Sequence, residues 1–197
     1  MPINTPTILT FIRIVIIPLI LLVFYIPDKY VCSAFSNGIA SMLFILAAFT
    51  DWLDGWLARR LNQSTLFGSF LDPVADKLIV CASLIVLLEL DRVSALVVLI
   101  IIGREIFISA LREWMARIDA EDIIAVHKLG KLKTLVQMIA IPCLFYGEPI
   151  LHVYFFKIGS ILISLASILT LLSMFFYIKC SWPSLNSKCC PNENIDN

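Results

Sequence analysis

Four aspartates, Asp51, Asp54, Asp72 and Asp76, stand at the margins of two apolar runs in the stretch DWLDGWLARRLNQSTLFGSFLDPVADK, Asp51 to Lys77. Residues at i, i+3, i+4 and i+7 share a helix face. Asp51, Asp54, Gly55 and Ala58 therefore form one stripe, and Asp72 and Asp76 stack on another. The short LNQSTLFG connection makes the two helices antiparallel neighbours, so the stripes can face each other. Carboxylates crowded in this way repel unless something positive lies between them. A hard divalent cation, Mg2+ or Mn2+, meets that need, because such ions take oxygen ligands and combine carboxylates with phosphates. Gly55 and Ala58 leave space beside it for a bulky ligand. Helix capping and small-residue packing explain one or two of these residues, but not the whole set.

A second group is basic. Arg104 lies mid-segment in IIGREIFISALREW, and Arg112 follows two turns on along roughly the same face. Glu105 and Glu113 can each hold a neighbouring arginine. KLGKLKTLVQM then places Lys128, Lys131 and Lys133 near the start of the next apolar run. Snorkelling accounts for Arg117 and Lys179. Convergent Arg and Lys suit a phosphate. The two groups together describe one site: a metal–carboxylate cluster for a diphosphate, beside a basic pocket for a second, phosphate-bearing substrate.

Positioning these groups falls to a very apolar chain. Its 197 residues are 60% hydrophobic and 15% charged, where a soluble domain is roughly half apolar and about a quarter charged. Mean hydropathy is +0.93. Net charge is zero, which gives nucleic acid no electrostatic handle. A membrane-crossing helix needs about 20 mostly apolar residues. Six segments qualify or nearly do: 8–26, 37–59, 69–90, 93–115, 131–147 and 153–178. The expected fold is an all-α integral membrane bundle of six transmembrane helices, as one domain over 1–180 with a polar tail over 181–197. Lys and Arg placement sets its orientation. With the N-terminus inside, the cytoplasmic side receives Arg59, Arg60, Arg112, Arg117, Lys128, Lys131, Lys133, Lys179 and Lys188. The outside receives Lys29 and Arg92, with Lys157 just inside the sixth segment. Both termini are then cytoplasmic, and so is the aspartate cluster.

The N-terminal run lacks a basic leader and a cleavage site, and reads as a retained first membrane segment. Six cysteines contain no CxxC pair, so neither a zinc site nor a disulfide framework is supported. Cys180, Cys189 and Cys190 read as reduced thiols in the tail, with reversible acylation as the alternative. His127 and His152 do not form the Glu-x-x-His pairs of a di-iron bundle. A transporter using membrane carboxylates for ions or protons is the rival of another class; it would place the aspartates mid-membrane on broken helices.

The opening stretch resembles the signature of the CDP-alcohol phosphotransferase family, D-x2-D-G-x2-A-R-x8-G-x3-D-x3-D. Asp51, Asp54, Gly55, Ala58, Arg59, Gly68, Asp72 and Asp76 meet it without a departure. INTPTILTFIRIVIIP, REIFISALREWMA and GKLKTLVQMIAI resemble the bacterial branch whose acceptor alcohol is sn-glycerol 3-phosphate. The likeness fades in the first external loop, the sixth helix and the tail.

The resemblance implies that CDP-diacylglycerol and sn-glycerol 3-phosphate give phosphatidylglycerophosphate and CMP, at the bacterial inner membrane. It implies Asp51, Asp54 and Asp72 as metal ligands, with Asp76 as general base and further ligand. Asp54, Gly55, Ala58, Arg59 and Gly68 would receive the CDP-diacylglycerol. Arg104, Arg112, Lys128, Lys131, Lys133, Thr134 and Gln137 would receive the glycerol phosphate. Asn4, Thr7 and Arg13 belong to a matching stretch without an assigned role. A homodimer is also implied. Cardiolipin, phosphatidylserine and phosphatidylinositol synthases are the rivals within the family.

Overall fold

Each apolar run becomes a helix. The computed structural model describes residues 5–26, 32–61, 66–117, 127–147, 149–150 and 153–189. Of these, only the backbone is described at 5–9, 54–61, 66–70, 112, 115–117, 127–132, 149–150, 153 and 176–189. The described residues form α1 (Thr5–Tyr25), α2 (Ser33–Leu61), α3 (Leu66–Glu89), α4 (Ala95–Arg117), α5 (His127–Tyr146) and α6 (Phe155–Cys189). A minimal antiparallel pair, β1 (Pro149–Ile150) and β2 (Val153–Tyr154), closes the turn between α5 and α6.

The six expected segments are thus six observed helices among the described residues, with shifted ends. α3 starts at Leu66, so Pro73 lies two turns inside it. A proline there removes one rung of the hydrogen-bond ladder, close to Asp72 and Asp76. α6 runs through Cys189 for 35 residues, about 50 Å at 1.5 Å per residue, well beyond a hydrocarbon core of about 30 Å.

The helices alternate in direction, and side-chain bonds tie both ends. At one end Arg92 donates to the α5 carbonyls of Leu144 (2.8 Å) and Phe145 (2.5 Å) and to Asn37 Oδ1 of α2 (2.9 Å). It supplies the cation and donors that a helix C-terminus lacks. The turn feeding Arg92 is a Schellman closure. Arg92 N–H reaches the Leu87 carbonyl and Asp91 N–H the Leu88 carbonyl, with Asp91 at φ 54° in the left-handed position that glycine usually takes. The opposite end gathers Thr10, Arg13, Asp51, Asp72, Asp76, Glu105 and Lys133.

The core runs along the bundle through Ile16, Phe44, Ile79, Leu84, Ile101, Ile141 and Ile163. Phe145 stacks on Phe24 at 5.8 Å between ring centroids. α5 and α6 approach closely at Gly159, where an added Cβ would lie 2.8 Å from Leu144 Cγ and 3.1 Å from its backbone nitrogen. α1 packs on both α2 and α3. Among the described residues α2 and α3 each pack most closely on α1, and they meet each other through the Asp51 and Asp76 side chains. Large apolar side chains face outward on every helix, Val15, Met42, Ile85, Leu99, Leu135 and Ile161 among them. Water-soluble monomers do not normally show so much outward apolar surface. Among the described residues two stretches are long and apolar enough to cross a membrane, Ser33–Leu53 and Phe155–Phe175.

Candidate active site

Three of the four aspartates meet around α1. Arg13 is 1% exposed and directs its guanidinium between two helices. One nitrogen pairs with Asp76 Oδ1 on α3 at 2.5 Å, and the other with Asp51 Oδ1 on α2 at 3.2 Å. One turn earlier, Thr10 donates to Asp72 Oδ1 at 2.5 Å. Thr10 and Arg13 are i, i+3 on one face of α1, so a single helical stripe holds all three carboxylates. The Asp51 and Asp76 side chains remain 41% and 38% exposed, so they stay open to a ligand while Arg13 is sealed behind them. The repulsion read from the sequence is real, and in this structure the positive charge between two of the carboxylates is Arg13.

The donor set bears on the expected cation. Among the described residues the ionisable oxygens gathered around Arg13 and Thr10 are carboxylates, the ligand type that hard divalent ions prefer. Among the described residues no three such groups already close to ligand spacing. Asp54 is outside that statement: for Asp54, Gly55, Ala58, Arg59 and Gly68 only the backbone is among the described residues. They sit on the last turns of α2 and the first turn of α3, so the helices carry them to the same end.

Beside the aspartates opens a cavity of about 590 Å³, within the range of small-molecule sites. Asp51, Asp76, Lys77, Glu105, Thr134 and Gln137 are on its wall. Glu105 organises the basic side. Its Oε1 accepts from Arg104 (2.9 Å) and from Lys133 Nζ (2.5 Å). Arg104 also donates to Ser173 on α6 at 3.2 Å. Lys77 donates to Ser109 Oγ at 2.5 Å, and Ser109 donates to the Glu105 carbonyl at 2.6 Å. A connected network thus runs from α3 through α4 to α5 and α6. The Nε2 of Gln137 is buried with no hydrogen-bond partner, and Gln137 lines the cavity. An unsatisfied buried donor costs about 1–3 kcal/mol, which a ligand oxygen in the cavity would recover.

The expected phosphate residues separate into two layers. Thr134 and Gln137 are on the cavity wall. Arg104 and Lys133 are 6% and 2% exposed and lie behind it, sharing Glu105. Arg112, Lys128 and Lys131 lie at the same end by helix position, with only their backbone among the described residues. Asn4 lies outside the described residues, and so does the side chain of Thr7. Sequence reasoning missed Thr10 and Lys77 and left Arg13 without a role. Arg13 carried a legible signal, an arginine inside an apolar segment.

A helical protein with carboxylates, a buried arginine and a basic network around one mouth belongs among the membrane-associated enzymes of phosphate chemistry. The comparisons make this specific. Residues 3–179 match the family model for CDP-alcohol phosphatidyltransferase, and the chain belongs to that family. It is 45% identical over 189 residues to the CDP-diacylglycerol--glycerol-3-phosphate 3-phosphatidyltransferase of Wigglesworthia glossinidia brevipalpis, covering 94% of this chain and 98% of that one. It is 44% identical over 180 residues to the protein of the same name from Escherichia coli (strain K12), covering 90% and 94%.

Proposed function

We propose that this chain transfers the phosphatidyl group of CDP-diacylglycerol to sn-glycerol 3-phosphate, giving phosphatidylglycerophosphate and CMP in phospholipid biosynthesis. The observation that carries the reading is the gathering of Asp51, Asp72 and Asp76 around Thr10 and Arg13, at the mouth of a cavity whose far wall is α5. The relatives named above support the choice of donor and acceptor.

Asp51, Asp54, Asp72 and Asp76 would hold the divalent cation, Mg2+ or Mn2+. When bound, it neutralises the diphosphate and the charge developing on the departing CMP. The chain's own residues do the rest. Asp54, Gly55, Ala58, Arg59 and Gly68 receive the nucleotide end of the donor. Arg112, Lys128, Lys131, Thr134 and Gln137 orient the acceptor phosphate, with Arg104 and Lys133 braced on Glu105 behind them. The acceptor hydroxyl attacks the lipid-linked phosphorus, the bond to the CMP oxygen breaks, and Asp76 takes the hydroxyl proton. Placing two substrates in one cavity makes the attack effectively intramolecular.

The six helices cross the bacterial inner membrane as one domain over 1–180, with both termini and the site cytoplasmic and a polar tail over 181–197. The outward apolar side chains and the Lys and Arg asymmetry support this. A homodimer is the expected assembly. The deciding experiment incubates purified protein and CDP-diacylglycerol with sn-glycerol 3-phosphate, serine, inositol and phosphatidylglycerol, and identifies the lipid formed by mass spectrometry. Phosphatidylglycerophosphate and CMP in equal amounts, lost in EDTA and regained with Mg2+, is the expected result. A different lipid would move the chain to another acceptor, and full turnover in EDTA would remove the cation.

A further inference from the structure

One cation on the cavity wall has no task in the proposed reaction. α3 presents Asp76 and Lys77, neighbours in sequence, to the same cavity, with Pro73 and Val80 beside them. Asp76 leans toward α1, where it meets Arg13. Lys77 leans toward α4, where its Nζ donates to Ser109 Oγ at 2.5 Å. Ser109 is itself fixed, donating to the Glu105 carbonyl one turn back at 2.6 Å. Among the described residues Lys77 is the only cation on this wall; Arg104 and Lys133 are committed to Glu105 behind it. The partner of Lys77 among the described residues is a neutral hydroxyl rather than a carboxylate. A partly buried charge on an apolar helix is costly unless an anion faces it. An ammonium has three donors, and Ser109 takes one. Two remain for the cavity.

Consecutive Cα atoms are about 3.8 Å apart, so what Asp76 deprotonates and what Lys77 touches belong to one small region of the cavity. The hydroxyl that loses its proton to Asp76 is joining the lipid-linked phosphorus. The anion within reach of Lys77 is then that phosphoryl group. We propose that Lys77 is a further catalytic residue, donating to a non-bridging oxygen of the phosphoryl group in transfer. This rests on the proposed reaction. The bond from the acceptor oxygen to phosphorus forms, the bond from phosphorus to the CMP oxygen breaks, and its electron pair leaves with CMP. The hydroxyl proton goes to Asp76, and Lys77 keeps its own. Held by Ser109, the ammonium is aimed in advance at the oxygen where negative charge grows, so it need not reorganise during the reaction. The acceptor's own phosphate stays with Thr134 and Gln137 on α5.

The test uses the full chain in lipid nanodiscs with Mg2+, CDP-diacylglycerol and sn-glycerol 3-phosphate. Lys77→Met keeps most of the side chain's length and removes its charge. Its kcat should fall by about 10²–10³-fold, the worth of one preorganised donor, with KM for sn-glycerol 3-phosphate little changed. A wild-type kcat, or a loss carried by that KM, would overturn the proposal. A donor with sulfur in place of one non-bridging oxygen on the lipid-linked phosphorus, resolved into its two diastereomers, reads the contact itself. The loss on Lys77→Met should be much smaller with the diastereomer whose sulfur faces Lys77, because sulfur accepts a hydrogen bond poorly. Equal losses with both would mean that Lys77 only ties α3 to α4, and the proposal would fall. Ser109→Ala keeps the charge but unpins it, and carries the test if Lys77→Met does not fold. Its kcat should drop by about tenfold, the worth of one ordinary hydrogen bond; an unchanged kcat would also overturn the proposal. Wild-type protein that forms phosphatidylglycerophosphate while both variants keep its rate sinks the role of Lys77 alone. No product from any acceptor sinks the proposed reaction and this inference with it.

Discussion

Arg13→Gln removes the guanidinium that joins Asp51 to Asp76 while keeping an amide of similar reach. Removing one partner of a fully buried ion pair costs about 3–5 kcal/mol. Arg13 meets that condition at 1% exposed, but its partners are 41% and 38% exposed. Water screens them, so the expected cost is reduced to about 2 kcal/mol. For a chain of this size that lowers Tm by about 4–8 °C. The assay is thermal unfolding of the purified protein in EDTA and again in Mg2+. In EDTA the variant should melt below the wild type. In Mg2+ it should regain more than the wild type gains, because the cation then neutralises carboxylates that have lost Arg13. Arg13→Lys should fall between them, since one ammonium cannot reach both carboxylates as the fork does. A variant that melts with the wild type in EDTA would refute the pairing. A Mg2+ increment no larger than the wild type's would refute the idea that guanidinium and cation serve the same carboxylates.

Asp76→Asn should bind CDP-diacylglycerol but lose turnover by about 10²–10⁴-fold, the usual worth of a general base; a near wild-type rate would end that assignment. Glu105→Gln removes the charge shared by Arg104 and Lys133. It should raise KM for sn-glycerol 3-phosphate more than KM for the donor, and equal changes would mean that the network only holds the fold. Gly159→Ala forces a Cβ to within 2.8 Å of Leu144 Cγ and should cost about 1–3 kcal/mol, read as a lower Tm. An unchanged Tm would show that α6 can move off α5 freely.

Much of the site was legible without coordinates. The grouping of Asp51 with Asp54 and of Asp72 with Asp76 needs only the period of a helix, and the six apolar runs do become six helices among the described residues. The partner across each stripe was less legible. Asp51 and Asp76 do confront each other, as their spacing suggested, but nothing in that spacing showed that α1 brings Arg13 against both, from 63 residues away from Asp76. Arg104 and Lys133 were read as a phosphate's direct contacts, and they lie behind Glu105, which both of them share. Lys77, next to Asp76 in sequence, is on the cavity wall, a position that no spacing pattern in the sequence marks.

The division has a physical origin. Helical periodicity is local, so spacing alone says which carboxylates share a face and what ion chemistry they suit. Facing is not local. In a soluble bundle a polar side and an apolar side give each helix a direction, but these helices are apolar on most faces, and their pattern points nowhere in particular. Which helix packs on both α2 and α3, which cation is buried against which carboxylate, and which lysine reaches the cavity wall follow only from how the six helices pack.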